Sequence, residues 1–169
     1  ARAGDEAVQA VVQDGFTLLY EAEVDFTLFF RALGEIVEGP SPSPSLHSGS
    51  GSGQADDDAA VALLGDVFYD EEKRRARTGE IASWLHRWWA LVGEDAEPHA
   101  DRRARMHAVN PRYVLRNYLA QEAIDLAERG EYGMIETLLD AMRRPYDEQP
   151  QYERFAAKRP EWARHRAGS

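Results

Sequence analysis

Residues 110–145 read NPRYVLRNYLAQEAIDLAERGEYGMIETLLDAMRRP, and the reading of this stretch decides the fold class. Asparagine is a good helix N-cap, and proline in the first helical position forfeits no hydrogen bond. Asn110-Pro111 therefore predicts a helix start. Val114, Leu115, Tyr118, Leu119, Ala123, Ile124, Leu126 and Ala127 then recur at three- and four-residue spacings, the period of an amphipathic helix. The predicted helix runs to residue 129 and stops at Gly130, since glycine takes the left-handed turn that ends helices. A further helix is predicted over residues 134–143, closed by Pro145.

The same period extends towards the N-terminus. Val8, Val11, Val12, Phe16, Leu19 and Tyr20 predict an amphipathic helix over about residues 5–22. Asp25 suits the N-cap of a helix to residue 36, with Phe26, Phe29, Phe30, Leu33 and Ile36 or Val37 apolar. Asp56, Asp57 and Asp58 suit the positive end of a helix dipole, so a third helix is predicted from there to about residue 69. Thr78 is the predicted cap of a helix over about residues 79–92, with Ile81, Trp84, Leu85, Trp88, Trp89 and Val92 turned inward. A short helix is expected over about residues 100–108. β-Branched alternation over four or more residues is absent. The expected fold is all-α, a bundle of about six or seven helices. Residues 1–38 form a helical hairpin, 39–56 a flexible linker, 57–145 the bundle and 146–169 an irregular tail.

The linker reading rests on GPSPSPSLHSGSGSGQ, residues 39–54, which has too little apolar surface to offset its ordering entropy. Its Gly-Ser run at residues 49–53 lacks the flanking strand and helix of a phosphate-binding loop.

The chain has 169 residues, 43% hydrophobic, with 30 acids, 20 bases and no cysteine. That excludes a disulfide scaffold, a thiolate zinc site and a cysteine nucleophile. A formal charge of −10 argues against a general nucleic-acid binder. The acidity is local: residues 1–40 and 55–100 each net −6, whereas residues 101–169 net +2. No run of 18 apolar residues occurs, so no membrane-crossing helix is expected. No signal peptide opens the chain, and its first residues read as an internal cut point.

Motifs that carry chemistry are scarce. Asp14-Gly15-Phe16 has the wrong order for the kinase Asp-Phe-Gly, and His86-Arg87-Trp88 lacks the aspartate of a kinase catalytic loop. His47, His86, His99, His107 and His165 show no zinc-binding spacing. Trp84 and Trp88, four apart, read as a core aromatic face, with Trp89 offset towards a neighbouring domain. Arg102, Arg103 and Arg105, with Arg112 and Arg116 nearby, read as a solvated basic face. Asn117 and Gln121 share one helix face. Arg116, Asn117, Gln121 and Trp89 are the candidate contacts to another domain or partner; no catalytic, cofactor-binding or metal-ligating residue is assigned.

Residues 110–150, NPRYVLRNYLAQEAIDLAERGEYGMIETLLDAMRRPYDEQP, resemble the C-terminal region of the selenoprotein O (SelO, YdiU) family. Asp25-Phe26-Thr27 with Phe30-Arg31 is similar to that family's Asp-Tyr-Thr-x-x-Phe-Arg segment. The tryptophan-rich stretch at residues 84–91 and Arg159-Pro160-Glu161-Trp162 also match. The resemblance covers the whole chain except the Ser/Pro/Gly loop, which looks like an insertion. It implies a parent protein with a kinase-like fold, a pseudokinase that moves AMP from ATP to protein Ser, Thr or Tyr hydroxyls with Mg or Mn. The implied catalytic core lies earlier in that parent, so this chain alone is expected to be inactive. Its implied partners are that core and protein substrates, with no nucleic acid and no membrane. The implied compartment is the bacterial cytoplasm or the mitochondrion. The family's terminal cysteine or selenocysteine motif would begin where residues 166–169 end, so the chain reads as cut before it. The alternatives are an independent helical adaptor that binds a protein, and a small all-α metal or nucleotide enzyme.

Overall fold

The computed structural model describes residues 3–39, 52–94 and 97–164. The predicted glycine run at 49–53, most of the predicted linker, His47 and His165 lie outside them or at their edge. The described residues form eight α-helices and two 3-10 turns, with no strand, so the fold is all-α. They divide into two compact units, residues 1–104 and 105–169.

The first unit holds α1 (Ala3–Glu21), α2 (Phe26–Glu35), α3 (Ser52–Ala62), α4 (Glu71–Ala76), α5 (Thr78–Glu94) and the start of α6 (His99–Val109). Helix α5 packs on α1 and α3. It buries Ile81, Ala82, Trp84 and Leu85 with Val11, Leu19, Phe29, Leu33, Ala60, Val61 and Leu64. Gly15 allows the close approach of α1 to α5: a Cβ there would lie 3.0 Å from Trp84 Cζ2. The Trp84 indole N–H donates to the Val11 carbonyl at 2.8 Å across the same contact.

Asp25 caps α2 as its sequence suggests, accepting from Leu28 N at 3.1 Å. It is also buried and accepts from the Tyr69 hydroxyl at 2.5 Å. That second bond belongs to a corner in which Val24 and Phe68 form an antiparallel bridge. Asp25 N donates to Val67 O at 2.8 Å and Tyr69 N to Glu23 O at 3.0 Å. Glu23 takes a φ of +49° to make the turn, a conformation uncommon outside glycine.

This corner explains two departures from the sequence reading. The third helix was expected over residues 56–69; α3 instead spans Ser52–Ala62. Tight turn bonds from Leu63, Leu64 and Gly65 end it, with Gly65 at φ +64°, and residues 67–69 are drawn into the bridge. Asp56, Asp57 and Asp58 accordingly lie past the first turn of α3 and do not cap its dipole. The short helix α4 was not anticipated, although Asp70 caps it through Glu72 N and Lys73 N, both at 3.0 Å. Thr78 is not a cap either: it is the buried first residue of α5, and its hydroxyl donates to Arg74 O at 3.2 Å.

On α4, Glu71 receives a two-pronged bond from Arg74 (2.6 and 2.7 Å) and a third from Arg75 (3.1 Å). The Arg74 hydrogen bond, with the charges of Arg74 and Arg75, lowers the Glu71 pKa from 4.5 to about 2. Because the folded value is depressed, whatever Glu71 adds to α4 is complete above pH 4.5 and disappears as pH falls through about 2. A carboxyl-carbon NMR titration is expected to show a Glu71 midpoint near 2, moving back towards 4.5 in Arg74→Gln. A wild-type midpoint at the ordinary value would contradict the paired geometry.

The second unit is built on α7 (Asn117–Ala127) and α8 (Gly133–Arg143), followed by 3-10 turns at Pro150–Phe155 and Glu161–Ala163. Here the opening prediction needs correction. Asn110-Pro111 does not start a helix. Asn110 closes the preceding helix, its side-chain amide donating to Met106 O at 2.8 Å. Arg112 N and Tyr113 N then donate to Pro145 O at 2.7 and 3.0 Å, and the helix begins only after Arg116. A long-range bond thus outcompetes the local cap signal. The predicted helix end is close: Gly130 takes φ +85° three residues after α7.

The core of this unit combines Tyr113, Tyr118, Leu119 and Ala123 with Met134, Leu138 and Ala141. Phe155, Ala156 and Ala163 from the C-terminal turns complete it. The described residues of the tail contain no α-helix but contribute core all the same. Gln149, buried, fastens it by donating from Nε2 to Ala141 O (3.0 Å) and Arg144 O (2.9 Å).

Candidate docking surface

Helix α1 is apolar on two sides. Val11, Gly15 and Leu19 face the core. Val8, Val12, Phe16 and Tyr20, which share the same helical period, form a separate row on the exposed side. The first three are about half exposed and Tyr20 is 86% exposed. Spacing by four places them along one helix face, over roughly 18 Å at 1.5 Å per residue. Gln9, Gln13 and Thr17 lie beside them, exposed and uncharged. Phe26, also exposed, extends the row by stacking on Phe16 at 5.9 Å.

Beside the far end of this row opens a cleft of about 640 Å³. Phe16, Leu19, Tyr20, Val24 and Phe26 form its apolar wall; Glu21, Glu23, Lys73 and Arg77 form its polar rim. The rim charges are already matched, Lys73 to Glu23 and Arg77 to Glu21 at 2.7 Å. An apolar lining whose charges are paired with one another suits a protein side chain better than a charged small ligand. Its signal was present in the sequence. The apolar residues of α1 cover roughly 200° of its circumference at 100° per residue, more than a single core contact needs.

The residues singled out from sequence fall into two groups. Arg116, Asn117 and Gln121 lie at the start of α7 in the second unit. Arg116 is its N-cap residue, and its carbonyl accepts from Leu119 N and Ala120 N at 3.0 and 3.1 Å. Asn117 is exposed, and Gln121 donates to Asp125 Oδ1 at 2.7 Å. Trp89 lies in the first unit. Its half-buried ring carries the Arg102 guanidinium 4.9 Å above it and lies 5.7 Å from Trp88. A Cβ on Gly39 would collide with it at 2.0 Å.

Arg102 itself corrects the reading of a solvated basic run. It is only 6% exposed and donates to Ile36 O at 2.6 Å. Its neighbour Arg103 pairs with Glu35 at 2.7 Å. Arg112 is bound two-pronged by Glu153 at 2.6 and 2.7 Å, and this hydrogen bond raises its pKa above the ordinary value. Arg102, Arg103 and Arg112 serve as internal ties. His99, at 3.2 Å from Gly34 O, does the same. Among the described residues no three His, Asp or Glu side chains converge as a metal site, and no helix is long and apolar enough to cross a membrane.

The described residues thus form two helical units, each with buried apolar residues, and the first helix leaves the apolar row Val8, Val12, Phe16 and Tyr20 exposed. No protein-family model matches the chain. It is 48% identical over 166 residues to the protein nucleotidyltransferase YdiU of Aromatoleum aromaticum, covering 98% of this chain and 28% of that protein. The YdiU proteins of Azoarcus sp. and Xanthomonas campestris are 49% and 47% identical over 87% and 94% of the chain. The chain belongs to the YdiU (SelO) family, as a C-terminal region of it. It spans about a quarter of the length of the curated relatives it matches.

Proposed function

We propose that the chain is the helical supporting region of a YdiU-type protein adenylyltransferase. In that reading the parent transfers AMP from ATP to protein Ser, Thr or Tyr hydroxyls, with Mg or Mn. This region braces the kinase-like core or helps shape the surface that receives the protein substrate. The observation that carries the reading is near-complete coverage of this chain by relatives named as nucleotidyltransferases, against coverage of only about a quarter of their length.

The donor set supports that division of labour. The described residues do not fit a nucleotide–metal site, because the basic groups of the cleft beside α1 are engaged by Glu21 and Glu23 and no carboxylate cluster converges among them. No step of the transfer is therefore assigned to this chain's residues. Transfer depends on positioning and on stabilising charge at the phosphate, and a rigid brace contributes to the first.

Incubation with radiolabelled ATP, divalent metal and a generic protein acceptor tests the reading. The parent-length protein is expected to label the acceptor and the 169-residue chain not to. Deleting the region from the parent is expected to reduce labelling about a hundredfold, the scale of loss when remote support is removed. Robust labelling by the chain alone would overturn the proposal. A second reading, an independent helical adaptor, draws on the same open face of α1; undiminished labelling after the deletion would favour it.

A further inference from the structure

We infer that the α1 face formed by Val8, Val12, Phe16 and Tyr20, with the adjoining cleft under Phe26, is where the remaining, larger part of the same polypeptide packs. This inference rests on the family reading above and adds the surface to it.

Three observations support that occupant. The first is length. The relatives match 98% of this chain with 28% of themselves, so a YdiU-length protein has more than twice as much further chain available to cover the face. The second is charge. In a chain carrying 30 acids and 20 bases, the row from Val8 to Tyr20 has uncharged residues on its exposed flank. Depletion of charge at the centre marks the core of a contact, whereas solvated helix faces carry charge. The third is shape. The row is continuous, is lengthened by the Phe16–Phe26 stack, and ends in a cleft with a charge-matched rim. A linear apolar ridge beside a socket suits a helix or sheet face bearing one protruding apolar side chain. The partner chemistry is therefore an uncharged apolar surface, since Glu21, Glu23, Lys73 and Arg77 beside the row are already paired with one another.

Single cysteines report on coverage, because the 169-residue chain has none of its own. Val12→Cys and Tyr20→Cys sit on the row, and Ser83→Cys sits on an exposed position of α5 as a reference. Maleimide modification at each site is followed by mass spectrometry in the 169-residue chain and in the parent-length protein, with light scattering for the mass of each. The chain alone is expected to be monomeric, with all three thiols reacting at comparable rates. In the parent, positions 12 and 20 are expected to slow by about a hundredfold relative to position 83, as for sites reached only by local opening. Equal rates in chain and parent would overturn the inference. Protection already present in a dimer of the chain would overturn it too, by assigning the face to a second copy. Because the readout is thiol reactivity and not AMP transfer, it stands or falls separately from the activity assay.

Discussion

Tyr113→Ala is expected to unfold the second unit. The side chain is 1% exposed at the centre of that unit's core. Removing a buried aromatic side chain costs about 3–5 kcal/mol. The hydroxyl adds a second loss. It donates to Gln149 O at 2.8 Å and accepts from Gln149 N at 3.2 Å, and a buried backbone group left without a partner costs about 1–3 kcal/mol. A unit this small holds only a few kcal/mol of net stability, so the combined loss exceeds what it has. The measurement is hydrogen exchange of α7 and α8 amides. Their protection is expected to collapse in Tyr113→Ala, whereas Tyr113→Phe, which keeps the ring, is expected to lose only the hydroxyl's share. Full protection in Tyr113→Ala would mean that the C-terminal turns are not held through this residue.

Trp84→Ala is expected to be the most damaging change in the first unit, at about 3–5 kcal/mol. Trp84 is 5% exposed and joins three elements. Its ring lies 5.5 Å from Phe29 on α2 and stacks at 6.4 Å on Trp88. Its N–H reaches Val11 O on α1 through the gap that Gly15 leaves. Denaturant unfolding followed by circular dichroism is expected to show a lowered midpoint with an unchanged slope. Trp84→Phe preserves most of the packing and is expected to cost only about 0.5–1.5 kcal/mol for the missing hydrogen bond. Equal effects of the two variants would show that the bond to Val11, and not the ring, holds α1 on α5.

These two residues also mark where reading along the chain succeeds and where it fails. Trp84 was legible as core because it recurs with Ile81, Leu85 and Trp88 on one helical face, and the helix that carries it formed where expected. Tyr113 was assigned to a helix that does not exist at that point. Its backbone is committed to Pro145, thirty-odd residues away, and no local pattern encodes that bond. The same holds for residues 67–69, taken from a predicted helix by the bridge to Val24. Of the candidate contact residues, Arg116, Asn117 and Gln121 lie at the start of α7, where the Arg116 carbonyl and the Gln121 side chain bond within α7 and Asn117 is exposed. Trp89 is engaged by Arg102 within its own unit. The outer row of α1 could not be separated from its core row in the sequence, because both fit one helical period.

Composition and periodicity determined the all-α class, the approximate helices, the Asp25 cap and the turn at Gly130. Each depends on side chains within a few residues of one another along the chain. The resemblance carried by residues 110–150 likewise needed only residue order, and the relatives support it. Tertiary structure alone decided which of two apolar rows on α1 is buried. Both rows satisfy the helical period equally, and only the position of Trp84, sixty-nine residues beyond Gly15, selects the Val11–Gly15–Leu19 side as core and leaves Val8, Val12, Phe16 and Tyr20 open.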